Sequence, residues 1–128
     1  MIIKDSLGKY ELKVDTQRRI VYEKNEGMWT KEEFKRLHND YVTKIVPSFG
    51  GKNWAKYCNL IGYRTSDITD DIGEHNIWCE QNGLTHAALI VESAIIKMQM
   101  NRSVKGGVYP MAFTDEKEAD NWLKSQGF

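Results

Sequence analysis

Thr85-His86-Ala87-Ala88-Leu89-Ile90-Val91 is the longest nearly uninterrupted apolar run in the chain, and it is too short to span a bilayer. A strand that is apolar at successive positions has both faces covered, which calls for parallel neighbours with helices above and below. This stretch is therefore the expected middle strand of an α/β sheet. The chain has 128 residues, the size of one domain, and residues 1–128 are read as a single unit with 1–9 as a loose leading segment.

Working outward from that strand, each flank carries its own signals. Upstream, Ile68, Ile72, His75 and Cys79 share one face of a helix expected from about Thr69 to Asn82, Ile77 points nearly opposite, and Gly83 is the stop. Before it, Trp54 to Ile61 reads as a strand. Thr30 and Glu33 form a capping box for a first helix, with Trp29 and Phe34 as a hydrophobic staple. Phe34, Leu37, Tyr41 and Ile45 give that helix one apolar stripe, and it should end near Val46-Pro47. The alternation of Tyr10, Leu12 and Val14 with charged residues, followed by Ile20 to Glu23, predicts an antiparallel N-terminal hairpin. Downstream, Ser93 caps a short helix through Ala94, Ile95, Ile96, Met98 and Met100. Val108 to Phe113 is a short strand in which Pro110 argues for an edge or a strand end, and Thr114 or Asp115 caps a last helix in which Ala119, Trp122 and Leu123 share a face. The expected order is β-β-α-β-α-β-α-β-α, a mixed sheet of about five strands with helices packed on it.

Composition narrows the function classes. Eighteen basic and eighteen acidic residues leave no net charge, so no overall basic field exists for nucleic acid or an anionic membrane. No window approaches a transmembrane span and the N-terminus lacks the pattern of a secretory signal, which points to a cytoplasmic protein. Cys58 and Cys79 match no zinc or redox spacing and are expected as reduced, buried thiols.

The chemistry-bearing candidates each have an ordinary explanation. Asp67, Asp70, Asp71 and Glu74 crowd a helix start, where the helix dipole alone favours acids, and they lack the pattern of a calcium loop. His75 and Cys79 are one turn apart but too few for zinc. Gly50-Gly51-Lys52-Asn53 follows a helix, the wrong context for a phosphate loop. Lys97, Arg102 and Lys105 complement a helix C-terminus. No catalytic residue, cofactor or metal ligand is assigned, and the chain is read as a non-enzyme.

Three stretches carry a family resemblance: Glu26-Gly27-Met28-Trp29-Thr30-Lys31-Glu32-Glu33-Phe34, Trp54 to Gly62, and Phe113 to Leu123. With the opening hairpin, they resemble the STAS fold of bacterial anti-sigma-factor antagonists, and more closely its divergent relatives grouped with lipid-transfer CRAL-TRIO domains. The resemblance implies regulation by binding another protein or a second copy of the chain. In the regulatory family a serine in an Asp-Ser-Ser-Gly motif is phosphorylated. Here Asn59-Leu60 and Thr65-Ser66-Asp67-Ile68-Thr69-Asp70 stand instead, and that role is not carried over. The expected interaction surface is Asn59, Tyr63, Arg64, Ser66, Ile77 and Trp78, with an exposed Ile77 and Trp78 as its apolar patch. The alternative is a small-molecule or lipid binder, drawn from the lipid-transfer relatives and from Met98, Met100 and Met111 near aromatics.

Overall fold

Alternating polarity at the N-terminus and continuous apolarity further on produce two kinds of strand in one sheet. The structure, a computed structural model, describes residues 1–95, 97, 98 and 109–128. Its strands are β1 (Ile2–Lys4), β2 (Tyr10–Asp15), β3 (Ile20–Asn25), β4 (Gly27–Trp29), β5 (Trp54–Asn59), β6 (Tyr63–Thr65), β7 (Leu84–Ile90) and β8 (Tyr109–Phe113). The main helices are α1 (Lys31–Asp40), α2 (Thr69–Gln81) and α3 (Glu116–Ser125). Six strands form a mixed sheet in the order β1-β2-β3-β5-β7-β8, and β4 pairs with β6 in a separate parallel pair.

The apolar run becomes β7, with parallel partners on both sides, β5 and β8. It lies one strand in from the edge rather than at the centre. Ala88 and Ile90 pack with Ala119 and Leu123 beneath α3, while Leu84 joins the larger core under α1 and α2. The register irregularity opposite Trp54 and Ala55 explains why Leu84 and His86, two residues apart, serve different layers. Pro110 lies on the edge strand β8, where an unpaired side needs no donor.

Three departures from the expected order have physical causes. The first nine residues are not loose throughout, because Ile2–Lys4 pairs antiparallel with β2. Just beyond that strand, Asp5 accepts two hydrogen bonds from Arg36 of α1, at 2.8 and 3.0 Å, and one from the Lys9 backbone at 3.0 Å. The strand begun at Trp54 stops at Asn59, whose side chain accepts from Ile61 N–H at 3.0 Å, and the chain re-enters as β6. The first helix passes into a π-helical turn, Tyr41–Ile45, and a last turn, Val46–Ser48. That places Pro47 where the regular ladder has already been re-spaced. The capping box and staple are present: Glu33 accepts from Thr30 N–H at 3.0 Å, and Trp29 meets Phe34 edge-on at 6.0 Å. Asp115 caps α3 through Lys117 N–H at 2.7 Å and Glu118 N–H at 3.2 Å. In the helix expected after Ser93, Ile96 and Met100 lie outside the described residues, as do Arg102, Lys105 and Val108.

Gly83 joins α2 to β7 at φ +103, and a Cβ there would lie 3.2 Å from the Lys52 carbonyl and the Trp54 ring. Strain and crowding both oppose a side chain, so Gly83→Ala should cost about 1–3 kcal/mol in urea unfolding with an unchanged m-value. Wild-type stability in that variant would contradict the turn geometry.

Candidate functional site

Side-chain parity decides what the sheet holds in its interior. On β3 the residues in phase with buried Val21 are Glu23 and Asn25, and on β5 those in phase with Trp54 are Lys56 and Cys58. Glu23 and Cys58 are register partners, so an acid, an amide, an amine and a thiol share the layer between sheet and helices. All four are buried, with Lys56 only 5% exposed. From above, α2 lowers His75 and Cys79 one helical turn apart, α1 brings Phe34 and His38, and the π-helical turn brings Tyr41.

Hydrogen-bond chemistry fixes the protons in this cluster. The Glu23 carboxylate accepts from the Tyr41 hydroxyl at 2.5 Å and from Asn25 Nδ2 at 2.8 Å. Lys56 Nζ lies 2.8 Å from His75 Nε2 and 4.3 Å from the centre of the Tyr41 ring. An ammonium has only donors, so His75 Nε2 accepts and its Nδ1 carries the ring proton. That Nδ1–H donates to His38 Nδ1 at 2.7 Å, which assigns the His38 proton to Nε2. Cys79 Sγ sits 3.4 Å from His75 Nε2.

The electrostatics agree with those assignments. Burial, then the Lys56 charge, then His38 push the His75 pKa far below the usual histidine range. Burial and Lys56 also lower His38. Burial opposes the charge on Lys56, and Cys79, Glu23 and Cys58 favour it; with both thiols protonated at neutral pH, the charge that acts on it there is the Glu23 carboxylate. Burial raises both thiols, with the Glu23 charge adding to it, and raises Tyr41 for the same two reasons. At neutral pH the cluster is one ammonium and one carboxylate among neutral imidazoles, thiols and phenol.

Beside this cluster lies a cavity of about 450 Å³ between α2 and the sheet, reaching from β3 across β5 and β7 to Pro110 on β8. Glu23, Asn25, Lys56 and His75 are its buried polar lining, and Phe34, Leu37, Ile72, Leu84, Ala87 and Leu89 form much of its apolar wall. Asn76 and Glu80, both exposed on α2, mark its mouth. Such a cavity has the size and the mixed lining of a small-molecule site.

The residues expected from sequence to form one surface are distributed around this site. Tyr63 lines the cavity and meets Trp29 edge-on at 5.3 Å. Asn59 borders a different, 250 Å³ depression beside Tyr22 and Tyr57. Arg64 is exposed and paired with Glu92 at 3.2 Å. Ser66 is exposed, and its N–H donates to the Trp29 carbonyl at 2.9 Å. Ile77 is 57% exposed, whereas Trp78 is half-buried against His38, with ring centres 5.2 Å apart. Met98 is exposed, Met111 half-buried, and Met100 lies outside the described residues. Glu23, Asn25 and Lys56 were not anticipated. Their signal was parity, since charged or amide groups stand in phase with buried neighbours. Among the described residues, no three of His, Cys, Asp and Glu converge as metal ligands, and no helix is long and apolar enough to cross a membrane.

Because folding lowers the His75 pKa below the ordinary 6.5, the unfolded chain binds a proton that the folded chain refuses. Stability is therefore fully present above about pH 6.5 and falls as pH drops below it, by about 1.4 kcal/mol per pH unit for each such proton. The carboxylates Asp5 and Asp120, whose pKa values are lowered, add their losses only at more acidic pH. Urea unfolding between pH 7.5 and 5 should show this slope, with His38 contributing to it, and His75→Gln, which can still accept from Lys56, should reduce it. An equal slope in both proteins would contradict the assignment. No family model, curated protein or solved structure matches this chain.

Proposed function

We propose that the chain is a non-enzymatic small-molecule-binding domain whose site is the cavity between α2 and the sheet. The observation that carries this reading is a solvent-reachable, mostly apolar cavity whose wall includes a buried, charge-balanced Lys56 and Glu23. Binding fits these groups better than catalysis does. Lys56 is held charged, both thiols are protonated, and His75 has both nitrogens engaged, so none of them is poised as nucleophile or base.

Filling the cavity tests the reading. Ala87 is buried in the wall, and Ala87→Phe should occupy the space a ligand would take. Native mass spectrometry of freshly purified protein, with thermal-shift screening of small apolar compounds, should show bound mass or stabilisation in the wild type. Both should be absent in an Ala87→Phe variant with an unchanged circular dichroism spectrum. Equal uptake by both proteins would sink the proposal.

A second reading, self-association or partner binding through α2 in the manner of STAS proteins, is favoured by the exposed Ile77. If it holds, Ile77→Lys with Trp78→Ala should convert any dimer seen by sedimentation to monomer. A monomeric wild type removes the self-association form of that reading.

A further inference from the structure

The polar side chains of the cavity differ in what they leave free to meet a ligand. Lys56 Nζ donates to His75 Nε2 at 2.8 Å, lies over the Tyr41 ring and has the Cys79 sulfur beside it, so its charge is met on three sides. Glu23 accepts from Tyr41 and Asn25, with the protonated Cys58 thiol as a further donor beside it. Both ring nitrogens of His75 are occupied, and Asn25 Oδ1 has no accessible surface. Asn76 and Glu80 stand exposed at the mouth.

Tyr63 is different. It lines the cavity from β6, half-buried, and among the described residues its hydroxyl meets no hydrogen-bond partner. Nor is that oxygen sealed: the unpaired side-chain atoms without accessible surface belong to Arg18 and Asn25. The Tyr63 ring is held edge-on against Trp29 at 5.3 Å, on a strand held by its pairing with β4, so the hydroxyl has a fixed position. Burial, and then the Glu23 charge, raise its pKa, and at neutral pH it carries its proton. A protonated phenol donates more strongly than it accepts, because the ring withdraws its oxygen lone pair. A tyrosine hydroxyl turned into an apolar site ordinarily has a partner.

Charge narrows what that partner is. Lys56 and Glu23 already compensate each other, and Glu80 at the mouth opposes an anion, so an uncharged acceptor suits the site. We infer that the ligand is a largely apolar, uncharged molecule bearing a carbonyl or ether oxygen, which accepts a hydrogen bond from the Tyr63 hydroxyl. This rests on the cavity being a binding site, and it names the contact that orients the occupant.

Acetophenone and α-methylstyrene, which differ by a carbonyl against a methylidene group, test it by calorimetric titration into the full chain. Tyr63→Phe removes the hydroxyl and keeps the ring. It should weaken acetophenone binding about fivefold, the effect of one hydrogen bond, and leave α-methylstyrene unchanged. In the wild type, the infrared carbonyl stretch of bound acetophenone should lie below its value in hexane, and it should move toward that value in Tyr63→Phe. The wild-type spectrum stands even if the variant folds poorly. Benzoate should bind more weakly than acetophenone. An equal effect of Tyr63→Phe on both neutral probes, or a wild-type stretch at the hexane value, overturns the Tyr63 contact; with both probes blocked by Ala87→Phe, the cavity reading stays intact. Benzoate binding as tightly as acetophenone overturns neutrality. Failure of every probe to bind the wild type overturns the cavity reading itself.

Discussion

The ammonium of Lys56 sits almost wholly buried in the layer between sheet and helices, and the centre of the molecule is arranged to tolerate it. A charge removed from water is costly unless it is paired and hydrogen-bonded. Here the Glu23 carboxylate supplies the opposite charge, His75 Nε2 an acceptor at 2.8 Å, and the Tyr41 ring a π-face at 4.3 Å. Each partner is secured in turn. Tyr41 and Asn25 hold Glu23, and His38 holds the outer nitrogen of His75. Elements far apart in sequence, β3, β5, α1, the π-helical turn and α2, therefore meet at one group. The geometry of each depends on the charge state of the others.

The π-helical turn lies at this same cluster. Tyr41 must direct its hydroxyl at Glu23 and its ring at Lys56 while Phe34 and Leu37, on the same helical stripe, stay in the core. The wider turn begins at Tyr41, and beyond it Ile45 and Phe49 lie in the same core as Trp54. Ordinary helical spacing already puts Phe34, Leu37, Tyr41, Ile45 and Phe49 on one face, so the irregularity adjusts that stripe locally rather than creating it.

Much of this architecture was legible in the residues. Unbroken apolarity from Ala87 to Val91 signalled a strand covered on both faces, and the split between His75 and Cys79 on one side of α2 and Ile77 on the other is what the structure shows. Thr30 with Glu33, and Pro110, identified a helix start and an edge. Three things escaped. The three-residue strands β1, β4 and β6 are too short for periodicity and form through pairing with distant segments. The joining of Glu23 to Lys56 needed the β3–β5 register, which no local pattern carries. The chemistry of Asn25 needed a hydrogen-bond partner to orient its amide. Parity alone, applied to Val21-Glu23-Asn25 and Trp54-Lys56-Cys58, was the available clue.

The cavity itself follows from residue choice. The wall is open where a packed sheet would place a large aliphatic side chain and β7 instead offers Ala87. The cavity opens past the exposed Asn76 and Glu80, so its space is reached by solvent rather than sealed in the core. An apolar molecule placed against Phe34, Leu37, Ile72, Leu84, Ala87 and Leu89 would release water from that wall, so the buried hydrocarbon is what would drive its entry.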